Sequence, residues 1–135
     1  MVIMTIALVS LAELMAITLR MQMLGRNQTS ATRLAQDKID ELMAINFDPA
    51  IDPAKAPMVS IGGSLTEDED DHFDSDPQNL YKRRWVVAAG PADPGVPVAD
   101  QANLRVLTVR VTPIVNDLRT TAPAEIVTII RCWPC

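Results

Sequence analysis

MVIMTIALVSLAELMAITLRMQMLGRNQTSATRLAQDKIDELMAINF, residues 1–47, reads as one long helix that meets two different solvents along its length. From Met1 to Leu19 almost every residue is apolar, with Thr5, Ser10 and Thr18 able to bond back to helix carbonyls and Glu13 as the one charge. No face of that segment is polar enough to meet water. A helix that is apolar all round belongs in a membrane, a large core or a bundle of partner helices, and a chain of 135 residues cannot build a core large enough to bury it. A bilayer crossing needs about 20 apolar residues. The stretch stands at that lower limit, which leads us to expect a segment upstream of Met1.

Beyond Arg20 the pattern changes. Ala31, Leu34, Ala35, Ile39, Leu42 and Met43 recur at helical spacing, while Arg33, Gln36, Asp37, Asp40 and Glu41 fill the gaps. This is an amphipathic helix resting on something. Gly25 and Asn27 are expected to weaken the junction locally, and Pro49 to stop the helix after Phe47. A continuous rod from Met1 to Asn46 would be about 70 Å long at ~1.5 Å per residue, far longer than a small head requires.

The rest of the chain supplies that head. FDPAIDPAKAPMVSIGGS (47–64) reads as a proline-rich loop, and TEDEDDHFDSDPQN (66–79) as a solvated acidic one whose removal leaves the head folded. LYKRRWVVAA (80–89), LRVLTVRVTPIV (104–115) and EIVTIIRCW (125–133) read as strands, joined by the turn-rich connectors GPADPGVPVADQAN and NDLRTTAP. The middle strand alternates best, with Leu107, Val109 and Val111 on one face and Thr108, Arg110 and Thr112 on the other. In the third, Val127, Ile129 and Ile130 are the apolar content. The expected class is α+β: a long N-terminal helix packed on a small antiparallel meander of about three or four strands. Two regions follow, a membrane or filament helix over 1–24 and a head over 25–135 that includes the amphipathic half of the helix.

Charge and cysteine content narrow the function classes. The net charge of −5 is concentrated in Asp48 to Asn79, with one base and nine acids, and there is no basic footprint for nucleic acid. Glu67, Asp68, Glu69, Asp70, Asp71, Asp74 and Asp76 would suit calcium by their hard oxygens, but the spacing is not that of an EF-hand, and a solvated loop is the simpler expectation. His72 stands alone as a candidate zinc ligand or catalytic base, with packing the plainer alternative. Arg83 and Arg84 beside Trp85 read either as a binding patch or as solvent-facing strand residues. Cys132 and Cys135 form a terminal C-x-x-C. A tail disulfide in an oxidising compartment fits better than redox catalysis, because no helix follows to activate a thiol. Glu13 in an apolar run marks either a surface for a partner helix or a position near lipid headgroups. No metal, cofactor or catalytic constellation is otherwise indicated.

An apolar helix beginning MVIMTIALVSLAEL and running through NQTSATRLAQDKIDELMA into a small sheet with a late strand LRVLTVRV resembles the type IV pilin-like proteins. The likeness is greatest to the minor pilin group that includes the pilus modification proteins and the I subunit of type II secretion pseudopilins. It covers about the first third of the chain, and over the head only the order of elements. The resemblance implies a structural subunit of a pilus or secretion pseudopilus, not an enzyme. It would be held in the bacterial inner membrane by one helix with its head in the periplasm, partnered by other pilin or pseudopilin subunits and by the inner-membrane assembly platform. The family begins with a basic leader, a cleavage glycine, an N-methylated aromatic and an early glutamate. None of these lies within residues 1–135, and Glu13 is too far along to stand for that glutamate. Arg20, Arg26 and Arg33 after the apolar stretch would by the positive-inside rule hold that end in the cytoplasm; the resemblance implies the opposite orientation. A membrane-tethered periplasmic thiol-disulfide protein using Cys132 and Cys135 is the alternative from another class.

Overall fold

The computed structural model describes residues 2–46, 51–69, 71–90, 104–114 and 122–131. Helix α1 spans Val2–Met43 without a break. The local weakening expected at Gly25 and Asn27 does not break the helix, since a single glycine lowers helix propensity by only about 1 kcal/mol. The hydroxyls just after the junction turn inward: Thr29 and Ser30 donate to the Gly25 and Arg26 carbonyls at 2.9 and 3.0 Å. Ser10 and Thr18 donate to the Ile6 and Leu14 carbonyls in the same way, so these side chains add no unpaired polar group to the apolar half.

Among the described residues four strands form one antiparallel sheet in sequence order: β1 Phe73–Ser75, β2 Tyr81–Ala89, β3 Leu104–Pro113 and β4 Ala124–Arg131. The α+β meander expected from the sequence is therefore present, with β1 as a short fourth strand at one edge. Trp85 stands opposite Val109, which stands opposite Ile126, so one face carries Tyr81, Trp85 and Val87, Leu107, Val109 and Val111, then Ala124 and Ile130. That face receives the second half of α1, chiefly across β3 and β4.

The helix presents Ala31, Ala35, Ile39 and Leu42 to this face, all buried. Alanine at 31 and 35 lets the rod approach the sheet closely, and leucine at 42 fills the space beyond. Two expected contacts are corrected. Met43 is 54% exposed, because it lies about 100° around the helix from Leu42. Ile129 is 58% exposed and Val127 is 59% exposed, because the period of two puts them on the sheet face away from α1, leaving Ile126 and Ile130 to pack inward.

The segment before β1 is more ordered than a simple loop. A single 3-10 turn at Ala56–Val59 buries Ala56 and Val59 under the edge of the sheet. The Met58 carbonyl accepts the indole N–H of Trp85 at 2.8 Å, which satisfies the polar atom of the largest fully buried side chain. Arg105 donates to the Val59 carbonyl, and burial holds that guanidinium below the ordinary arginine pKa. Gly62 then pairs with Val87 across the free end of β2.

Candidate assembly surface

The two halves of α1 have opposite environments. From Ile3 to Met23 every described side chain is exposed, with Ile3 at 84% and Leu8 at 67%, whereas from Ala31 onward one stripe is buried against the sheet. The helix is long and apolar enough to cross a membrane, and its apolar window is buried against nothing within the protein. An exposed apolar surface of this size does not persist in water; it is covered by lipid or by protein. Glu13 lies in the middle of it, exposed.

The helix–sheet junction carries a second cluster, in which Lys38 is 1% exposed. Its Nζ lies 2.9 Å from Asp74 Oδ2, 3.0 Å from Glu41 Oε2 and 4.4 Å from the centroid of the Trp85 ring. Arg83 grips the same Asp74 through Nε and Nη2 at 2.6 and 2.9 Å. Three elements therefore converge on one carboxylate: α1, β1 and β2. Sequence reasoning did not single out Lys38. The signal was its spacing, since position 38 falls on the stripe of Ala31, Leu34, Ala35 and Leu42, where a lysine needs a partner.

The acidic segment is corrected accordingly. Glu67, Glu69 and Asp71 are exposed, as a solvated loop requires, but the others are engaged by the fold. Asp68 accepts from Lys82 at 2.6 Å and from Arg84 at 2.8 Å; the hydrogen bond from Lys82, with Arg84 beside it, holds the carboxyl below its usual pKa. Asp76 is buried and accepts the backbone N–H groups of Leu80 and Tyr81 at 2.7 and 2.9 Å, closing the turn between β1 and β2. Asp74 belongs to β1 and faces the helix. Removal of 67–76 would thus delete a strand and a turn, and the expectation of a dispensable loop fails because charge density alone does not reveal which carboxylates have cations waiting. Asp70 lies outside the described residues.

His72 is buried, with its ring tilted 42° to that of Trp85 at 6.2 Å. Its Nε2 stands 3.1 Å from the Ser60 carbonyl, an arrangement that requires the proton on Nε2. The histidine packs the 60–63 segment against the sheet. Among the described residues no group of three or more His, Cys, Asp and Glu side chains converges as metal ligands would. Arg83 and Arg84 both differ from the solvent-facing reading: their side chains are 14% and 17% exposed and each is matched by a carboxylate. Cys132 and Cys135 lie outside the described residues.

One long apolar N-terminal helix packed by its second half on a small antiparallel meander is a pilin-like arrangement in general form. No family model, no curated protein and no solved structure matches the chain.

Proposed function

We propose that the chain is a structural subunit of the type IV pilin-like class, a minor pilin or pseudopilin that takes part in assembling a pilus or a type II secretion pseudopilus. The observation that carries this reading is the division of α1: its first half is bare apolar surface projecting from the head, and its second half is the backbone of the head's core. The bare half serves as a membrane helix before assembly and as a packing surface for neighbouring subunits afterwards. The head stands on the periplasmic side of the inner membrane, in the orientation the resemblance implies. The arrangement is structural and not enzymatic, with the buried Lys38 and the partly buried Asp74 and Arg83 holding the head to its rod.

The test is fractionation of a tagged full-length chain in the bacterium that encodes it. The expected result is resistance to carbonate extraction from inner membranes, protease access to the head from the periplasm only, and recovery of the tag in filaments sheared from the cell surface or raised by overexpressed secretion subunits. A chain that is extracted by carbonate, or whose head is digested only from the cytoplasmic side, overturns the proposal.

A further inference from the structure

Strand β4 forms one outer edge of the sheet, and among the described residues it pairs with β3 alone. Val127 and Ile129 are exposed on the face away from α1, and Glu125 and Arg131 are exposed on the same face towards the two ends of the strand. Neither proline nor charge interrupts the strand between Glu125 and Arg131, so its outer side is a template for a further strand. The main-chain groups are aimed accordingly. Gly90 donates to the Leu104 carbonyl and Ile114 to the Leu80 carbonyl, so the even-numbered residues of β3 turn their backbone groups to β2 and the odd-numbered ones turn theirs to β4. Through the register of β3 with β4, the backbone groups of Glu125, Val127 and Ile129 then point to the outer edge.

We infer that two copies of this chain join edge to edge through β4, antiparallel, about a two-fold axis at Thr128. The run EIVTIIR, residues 125–131, complements itself when reversed. Glu125 meets Arg131 of the second copy, Ile126 meets Ile130, Val127 meets Ile129, and Thr128 meets Thr128. Residues directly opposite in an antiparallel pair share a face, so the outward row reads acid on base at each end with valine on isoleucine between. Other registers lose this match. With the axis at Val127, Glu125 would stand against Ile129; with the axis at Ile129, Arg131 would stand against Val127; an axis between residues would set outward side chains against inward ones. In the matched register Val127 and Ile129 exchange both main-chain bonds with Ile129 and Val127 of the second copy. Thr128 becomes a non-hydrogen-bonded pair with Cα atoms about 4.5 Å apart. The interface is isologous and closes as a dimer with one continuous sheet. Because α1 lies on the sheet and the axis passes through the sheet, the two bare halves leave the pair in opposite directions. The contact therefore joins copies held in different membranes or filaments, and it does not depend on the subunit reading.

The experiment uses the full-length chain in detergent micelles, which leave each rod free to point its own way, with Cys132→Ser and Cys135→Ser throughout. Thr128→Cys is expected to give a disulfide-linked dimer on mild oxidation, since about 4.5 Å between Cα atoms is within disulfide reach. Val127→Cys and Ile129→Cys should each cross-link poorly alone and efficiently when the two chains are mixed. Glu125→Arg alone and Arg131→Glu alone set like charges opposite one another twice and should lower the Thr128→Cys yield by about tenfold. An equal mixture of those two chains should recover it, because arginine of one then meets glutamate of the other at both ends, and recovery also shows that each variant is folded. No dimer at Thr128→Cys, equal yields from Val127→Cys alone and in the mixture, single charge variants that cross-link like the unaltered pair, or a mixture that does not recover overturns the inference. So does a Thr128→Cys chain that cross-links in cells to a different protein and not to itself, which would assign the edge to a foreign strand. Cross-linking in micelles reads the sheet edge and fractionation reads the rod, so the two proposals fail separately.

Discussion

Lys38 Nζ lies 2.9 Å from Asp74 Oδ2, and this ion pair, almost wholly withdrawn from water on the lysine side, joins the second half of α1 to the shortest strand of the sheet. The same carboxylate is held in a two-point grip by Arg83, and Lys38 rests against the Trp85 ring. A three-residue edge strand has little backbone pairing of its own. Its attachment to the fold depends on the side chain at its centre.

Removal of either member of the pair should have unequal effects. Asp74→Ala leaves the buried ammonium with only the exposed Glu41 and is expected to cost about 3–5 kcal/mol. Lys38→Met keeps the stem over Trp85 and leaves Asp74 with Arg83, so about 1 kcal/mol is expected. Denaturant unfolding of the full chain in detergent micelles, followed by tryptophan fluorescence in a Trp133→Phe background, compares the two. A costlier Lys38→Met would show that the lysine, not the carboxylate, organises the junction.

The face of α1 is tested at two adjacent positions. Leu42→Asp places an unpaired charge against the sheet and should cost several kcal/mol, comparable with the whole stability of a small domain. Met43→Asp, one residue on, should change stability by about 0.5 kcal/mol or less because that side chain is in solvent. Equal losses in the same unfolding assay would mean that the rod meets the sheet in another rotation.

In the acidic segment, single substitutions should sort by partner and not by charge. Asp76→Ala strips the acceptor from two N–H groups of the β1–β2 turn and is expected to cost about 1–3 kcal/mol, whereas Glu67→Ala and Glu69→Ala should be close to neutral. Thermal melts of the three variants decide it, and a neutral Asp76→Ala would restore the view that the whole segment is a solvated loop.

Acid sensitivity should include a contribution from Asp68. Its folded pKa is lowered, so the stability it contributes is present above the unfolded carboxyl value of about 3.9 and is lost as pH falls through the lower folded value. Asp68→Asn should therefore flatten part of the fall in melting temperature below about pH 4 while leaving the slope near neutrality alone. Superimposable acid limbs for the two chains would show that Lys82 and Arg84 do not hold Asp68 in solution.

Gly63 has a φ of 94°, and a Cβ there would collide with the Trp85 carbonyl and lie 2.8 Å from the His72 ring. Gly63→Ala should cost about 1–3 kcal/mol from backbone strain alone, before the collision is counted. Gly25→Ala, with open space around it in the exposed helix, should be neutral or slightly stabilising. Paired thermal melts in micelles read both changes; equal effects would mean the 60–63 segment does not run against β2 as described.

Much of this architecture was legible in the chain itself, because it is written in local periodicities. The unbroken apolar run to Leu19 and the period near 3.6 through Ala31, Ala35 and Leu42 define one rod with a bare half and a packed half. The period of two through Leu107, Val109 and Val111 defines the central strand and its buried face. These patterns depend only on where consecutive side chains point, which backbone geometry fixes. In β4 the same rule separated Ile126 and Ile130 from Val127 and Ile129, but which pair faced inward was not in the strand; it followed from the register with β3 and from the side on which the helix lay.

What the tertiary structure alone decided was the pairing of charges distant in sequence. Asp68, Asp74 and Asp76 stand in a run of acids that looks uniform, yet the first meets Lys82 and Arg84, the second meets Lys38 and Arg83, and the third turns inward to cap a turn. A carboxylate's burial cost depends on whether a cation or an N–H group reaches it, and that distance is set by how strands register and where a helix crosses them. Local sequence carries no record of it. The same reason makes Lys38 buried while the arginines of the helix, Arg20, Arg26 and Arg33, are exposed.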